Sequence, residues 1–183
     1  MSRARILILF AHPAFHKSRV HRYLVDAVKD IEGVTFHDLY ELYPDLHLDV
    51  ATEQRLLVEH EVVVWQHPLY WYSSPAILKE WQDLVLEYGF AYGENGTALR
   101  GKRLLSVIST GGPMESYQPE GFNQFTIREL LRPFEQTARL CGMEYLEPFV
   151  VHGTHRLTQA EMAAHAASYG QLVTALRDKP TAI

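Results

Sequence analysis

Ile6-Leu7-Ile8-Leu9-Phe10, followed by Ala11-His12-Pro13-Ala14-Phe15-His16-Lys17-Ser18-Arg19-Val20-His21-Arg22, is the stretch whose reading decides the fold. Five successive apolar residues without alternation read as a strand buried on both faces, as in a parallel sheet covered by helices. After the polar loop, Val20, Leu24, Ala27, Val28 and Ile31 fall at helical spacing, and Gly33 supplies a stop. Strand, loop and amphipathic helix make the first unit of an α/β chain.

The pattern continues outward from that unit. Residues 34–39 read as a second strand, 51–60 as a short helix and 61–66 as a third strand. Ser74-Pro75 predicts a helix start. Ile77, Leu78, Trp81, Leu84, Val85 and Tyr88 then form one stripe, closed by Gly89. Residues 104–109 are a fourth strand. Residues 126–141 are helical, and Pro133 predicts a kink or two abutting pieces. Residues 143–151 hold a fifth strand, with Pro148 at an edge or bulge. Thr158-Gln159-Ala160-Glu161 is a capping box that opens the last helix, which buries Met162, Ala166, Tyr169, Val173 and Leu176. Five strands alternating with helices predict an open, doubly wound α/β fold, a five-stranded parallel sheet with helices on both faces.

Composition narrows the function. The 183 residues suit one domain, over 1–183. With 47% hydrophobic and 21% charged residues, the chain can build an ordinary core without staples. A formal charge of −5 argues against a duplex nucleic-acid binder. The one cysteine, Cys141, permits no internal disulfide and reads as core. Residues 6–10 are too short for the core of a signal peptide, so the expected location is cytoplasmic.

Ligands of open parallel sheets bind beyond the carboxyl ends of the strands. The loops after strands one, three and four therefore carry the functional reading. In the first, His12, Lys17, Ser18, Arg19, His21 and Arg22 face a helix N-terminus, an anion-binding arrangement, or else Ser18 is a plain N-cap in a solvated basic turn. No G-x-G-x-x-G fingerprint accompanies it. The second, His67-Pro68-Leu69-Tyr70-Trp71-Tyr72-Ser73-Ser74-Pro75, offers three consecutive aromatics to a flat ligand, or else makes a dimer contact or folds back as a core plug, and a ligand role and such a packing role can both hold. The third, Ser109-Thr110-Gly111-Gly112-Pro113-Met114-Glu115-Ser116-Tyr117, lets backbone approach a ligand, or is simply a tight turn. Other motifs fail. Gly96–Arg103 nearly spells a P-loop but ends in Arg and enters a strand. His152 and His155 have an H-x-x-H spacing at a strand end without a Glu, so no metal is expected. No G-x-S-x-G elbow occurs.

Taken together, Ala11-His12-Pro13 with Ser18, the run from Gln66 to Trp81, Gly89-Phe90-Ala91-Tyr92-Gly93, Leu99-Arg100-Gly101-Lys102 and Thr110-Gly111-Gly112 resemble the flavodoxin-like NAD(P)H–quinone oxidoreductases. Residues 37–45 and Leu131-Arg132-Pro133-Phe134-Glu135 narrow the resemblance to the ancillary flavoproteins of glutathione-regulated potassium-efflux (Kef) systems. The resemblance implies a flavodoxin-like fold, bound FMN (or FAD), and NADH or NADPH reducing a quinone by ping-pong hydride transfer. It also implies a homodimer docked at the inner face of the membrane on a potassium-efflux antiporter. Carried over, His12 and Ser18 face the cofactor phosphate, with Arg19, Val20 and His21 beside them. Leu69, Tyr70, Trp71 and Tyr72 line one flavin edge, and Ser109, Thr110, Gly111 and Gly112 the other. Tyr117 takes the catalytic position. The chain departs from the pattern at His21, often Asn in the family, and at Tyr70, often Gln. The segment Glu120-Gly121-Phe122-Asn123 lacks the His that partners the catalytic Tyr in the quinone reductases.

Overall fold

A computed structural model describes residues 3–179; residues 1–2 and 180–183 of the expected domain lie outside the described residues. In chain order the elements are β1 (Ile6–Phe10), α1 (Val20–Val28), β2 (Val34–Asp38), α2 (Leu39–Leu42), α3 (Val50–Glu59), β3 (Val62–Pro68), α4 (Ala76–Val85) and β4 (Arg103–Ser109). They continue with α5 (Ile127–Leu130), α6 (Arg132–Leu140), β5 (Glu144–Tyr145), β6 (Phe149–Val151) and α7 (Gln159–Asp178).

The strands form one sheet in the order β2-β1-β3-β4-β5, with β6 also on β4, and every pairing is parallel. Residues in β1, β3 and β4 are buried throughout, which is why their sequences carry apolar side chains on both faces. Ile6, Ile8, Val62, Val64, Leu105 and Val107 pack with α1 and α7. Leu7, Leu9, Val63, Trp65, Leu104 and Ile108 pack with α3, α4 and α6 on the other face. Strand order reverses between β1 and β3, so the loops leaving Phe10, Pro68 and Ser109 converge at one end of the sheet.

Three local differences from the sequence reading have physical causes. The fifth strand is two short strands, β5 and β6, both on β4; Pro148 has no N–H for the ladder, and the break falls just before β6. The helical stripe after Pro75 ends at Val85, leaving Leu84 and Tyr88 exposed. Tyr88 instead packs edge-on against Tyr92. Over residues 126–141 the helix is two abutting pieces, but the break is at Leu131, and Pro133 sits in the first turn of α6, where its missing N–H costs nothing. Both capping boxes, Thr126 with Glu129 and Thr158 with Glu161, are formed.

Candidate functional site

The three loops build two recesses that meet at Leu69. The first has a volume of about 330 Å³ and lies between the β1 loop, Pro68-Leu69-Tyr70, Ser109 and Gly111. The second, about 340 Å³, lies between Leu69, Trp71 and Tyr72 on one side and Gly112, Tyr117 and Phe122 on the other. Each falls within the range of about 300–1,000 Å³ common for small-molecule sites.

The first recess is polar and cationic. His12, Lys17, Ser18, Arg19 and Val20 line it. The N–H groups of Arg19 and Val20, at the start of α1, have no partner among the described residues. Arg19 is the N-cap residue of α1 and makes no side-chain cap bond; Ser18, one residue earlier, accepts the N–H of His21 at its Oγ at 3.1 Å and still holds a hydroxyl hydrogen for the recess. The reading of Ser18 as the N-cap is thus off by one residue, although its oxygen serves the first turn of the helix. The Arg19 guanidinium is engaged elsewhere: it donates to Leu157 O at 2.8 Å and clips the loop after β6 to the β1 loop. His12 Nδ1 accepts the N–H of Ala14 at 3.2 Å. Burial holds the His12 imidazole below its usual value, with the charge of His16 acting in the same direction and a bond to its own backbone opposing. A neutral His12 accepting at Nδ1 carries its proton on Nε2.

The second recess is aromatic. Tyr70, Trp71, Tyr72 and Ser73 form a tight turn, closed by Ser73 N–H to Tyr70 O at 3.0 Å. Its central residues Trp71 and Tyr72 have φ of +50° and +61°. These left-handed values match a type I′ turn, which ordinarily selects Gly, Asn or Asp. Two aromatics there cost about 1–2 kcal/mol each, and such strain concentrates at functional sites. Trp71 is 93% exposed and Phe122 89%. Tyr72 Oη donates to Asn123 Oδ1 at 3.1 Å, tying this turn to the segment after the paired glycines.

Gly111 and Gly112 form the wall between the recesses, and neither N–H has a partner among the described residues. A β-carbon at Gly111 would fall 3.1 Å from His155 Nε2, and one at Gly112 would fall 3.2 Å from Tyr117 Cε2. Thr110 stands behind this wall. It is buried, and its hydroxyl donates to Gly112 O at 2.8 Å, so it braces the turn and does not line either recess. His152 Nδ1, 3.2 Å from Thr110 Oγ1, donates to that oxygen. Gly153 N–H also reaches Gly112 O, at 2.9 Å.

The structure thus brings His12, Ser18, Arg19, Val20, Leu69, Tyr70, Ser109 and Gly111 to one recess and Leu69, Trp71, Tyr72, Gly112 and Tyr117 to its neighbour. His21 and Thr110 support them from behind. Sequence reasoning missed Thr154 and His155, which line the first recess. Their signal was position: they follow β6, whose carboxyl end lies at the same end of the sheet. No cluster suited to a metal ion occurs among the described residues. No helix among them is long and apolar enough to cross a membrane.

A family model described as a flavodoxin-like fold matches residues 4–173, and the chain belongs to that family. It is 48% identical over 166 residues to the glutathione-regulated potassium-efflux system ancillary protein KefG of Serratia proteamaculans (strain 568), covering 91% of each chain. Among solved structures, general stress protein 14 of Treponema denticola in complex with FMN matches with 40% identity and a TM-score of 0.90, over 94% of this chain and 99% of that one. An NADPH-quinone reductase from P. pentosaceus matches with 36% identity and a TM-score of 0.84, over 92% and 96%. A thermophilic tryptophan halogenase from Streptomycin violaceusniger matches with 48% identity and a TM-score of 0.89, over 91% and 97%. These descriptions differ, and a shared fold does not choose a reaction; the site has to.

Proposed function

We propose that the chain binds FMN across the two recesses and acts as an NAD(P)H–quinone oxidoreductase. The observation that carries the reading is the pairing of unengaged donors with an aromatic recess in one continuous cleft at the reversal of strand order. The N–H groups of Arg19 and Val20, the Ser18 hydroxyl and Lys17 suit a phosphate at the first recess. Gly111 and Gly112 bring two N–H donors to the junction, where an anionic ring system gains from fixed dipoles. Trp71, Tyr72 and Phe122 supply flat walls for the ring. Two recesses of about 330 and 340 Å³ support FMN as the flavin, and FAD is the outcome to be distinguished by extraction of the bound flavin.

When bound, the flavin supplies two-electron exchange between NAD(P)H and a quinone. The protein's part is placement. The Gly111-Gly112 wall holds donors against the ring edge, and Tyr117 Oη, beside Gly112 at the edge of the second recess, donates to an acceptor oxygen lodged there. Both substrates use that one open recess in turn, which gives ping-pong order. The exposure of Trp71 and Phe122 beside it supports a homodimer whose interface borders the recess. The identity to KefG proteins supports a cytoplasmic chain seated on a potassium-efflux antiporter.

A second reading has its own support. Asn123, held by Tyr72, stands in the segment where the quinone reductases place a His beside their catalytic Tyr. On this reading the flavin-loaded chain activates the antiporter without turnover. The experiment is NADH- and NADPH-dependent quinone reduction by the FMN-loaded protein, beside potassium efflux in cells carrying a cognate antiporter. Quinone turnover supports the oxidoreductase. Efflux activation with no turnover supports the regulatory subunit. A colourless protein that binds no flavin overturns both.

A further inference from the structure

His21 donates to both serines of the first recess. Its backbone N–H reaches Ser18 Oγ at 3.1 Å, and its ring Nε2 lies 2.9 Å from Ser109 Oγ. Which hydrogen lies between Nε2 and Ser109 depends on the tautomer, and the tautomer is set from behind. Tyr169, buried on α7, donates its hydroxyl to Gln66 Oε1 at 2.9 Å. Tyr169 Oη has no other acceptor among the described residues, so its buried hydrogen requires Oε1, and this fixes the orientation of the Gln66 amide. The Gln66 Nε2 then faces His21 Nδ1 at 3.5 Å and can only donate. Nδ1 accepts, so the ring proton sits on Nε2 and points to Ser109.

The consequence falls on the serines. Each oxygen is occupied as an acceptor by one N–H of His21, and neither hydroxyl hydrogen has an acceptor among the described residues. Ser18 and Ser109 both line the recess, beside the unengaged N–H groups of Arg19 and Val20. Tyr169, Gln66 and His21 are almost fully buried and none lines the recess. Burial, with His12 and His67 nearby, holds His21 neutral, as this arrangement requires.

We propose that His21, set in its Nε2–H tautomer by Gln66 and Tyr169, is a positioning residue that makes Ser18 and Ser109 a pair of donors for a phosphate monoester. The role deepens the FMN reading above and rests on it for the identity of the ester. A group that only accepts hydrogen bonds suits the pair; a hydroxyl or an amine does not.

The test compares FMN with riboflavin, which lacks the phosphate, by fluorescence titration. Ser109→Ala weakens FMN about tenfold or more, the loss of one hydrogen bond to a charged group, and leaves riboflavin unchanged. Gln66→Leu takes the donor away from Nδ1 and leaves the tautomer unset, so FMN weakens while riboflavin does not. Tyr169→Phe, which frees the Gln66 amide to turn, gives a loss of the same kind and serves if the leucine prevents folding. Equal weakening of FMN and riboflavin, or no weakening of either, overturns the proposal, since a merely structural role moves both ligands together. Imidazole nitrogen NMR of the flavin-free protein gives an independent answer: the Nε2–H form of His21 supports the proposal and the Nδ1–H form overturns it. If the parent chain binds neither flavin, the FMN reading fails, while the NMR result and titration with inorganic phosphate still decide the role of His21.

Discussion

Tyr117 lies folded against Gly112, so close that a β-carbon on residue 112 would sit 3.4 Å from the phenol oxygen. The hydroxyl is thereby held beside the Gly111-Gly112 donors at the edge of the aromatic recess. Tyr117→Phe should lower kcat and kcat/KM for quinone reduction together, because its hydrogen bond forms in the transition state. A single placed donor sets the ceiling at roughly 10²–10³ in rate. Steady-state assays on the FMN-loaded variant check this, and unchanged kinetics remove Tyr117 from the chemistry. Efflux activation should survive the change if regulation is separable from turnover; its loss, with fold and flavin retained, would tie the two.

Ser18 accepts the His21 N–H and lines the first recess. Ser18→Ala should weaken FMN about tenfold or more and cost about 1 kcal/mol of stability through the lost bond to the His21 N–H. Flavin titration and urea melting read the two effects separately. Loss of stability alone would make Ser18 only structural.

Trp71 offers the opposite case. With 93% of its surface exposed and φ at +50°, it buries little and strains the backbone. Trp71→Gly should relieve about 1–2 kcal/mol of left-handed strain, against about 0.5–1 kcal/mol of added chain entropy in the unfolded state. Melting should show unchanged or raised stability, and FMN binding should fall. A protein destabilised by more than about 1 kcal/mol would show that Trp71 is structural.

His67 ties stability to pH. It is fully buried, donates Nδ1–H to Pro68 O at 2.9 Å, and has no partner at Nε2 among the described residues. Burial lowers its value from 6.5 to about 4, against the bond to Pro68. Unfolded chains then take up a proton that folded chains refuse. The contribution of His67 is complete above pH 6.5 and declines as pH falls toward 4, by about 3 kcal/mol across the window. Urea melts at pH 7.5, 5.5 and 4.5 should give a shallower slope for His67→Leu than for the parent, and equal slopes would contradict the account.

Exposed aromatics at the second recess predict the assembly. Light scattering at micromolar concentration should give a dimer, and Phe122→Asp should shift it toward monomer. A monomeric parent would remove the subunit boundary from the recess.

Much of this was legible in the sequence because the signals were local. The unbroken run Ile6–Phe10 reported burial on both faces, and the capping box at Thr158 marked α7 to the residue. Ser18, Trp71 and Gly112 were found by their place after strand ends. What escaped depends on distance along the chain. Tyr169 read as core from its helical spacing, but its hydroxyl meets Gln66 across 103 positions, which no local pattern reveals. His155 read as half of a weak metal spacing and proved to face Gly111.

The central claim is that the cleft joining the Ser18 and Tyr117 recesses holds a flavin through its phosphate and its ring. Fluorescence titration of the flavin-free protein with FMN tests it most directly. The account predicts saturable quenching at one FMN per chain, with weaker binding in Ser18→Ala and in Trp71→Gly. FMN fluorescence unchanged by the parent protein, or identical affinity in parent and both variants, would contradict it.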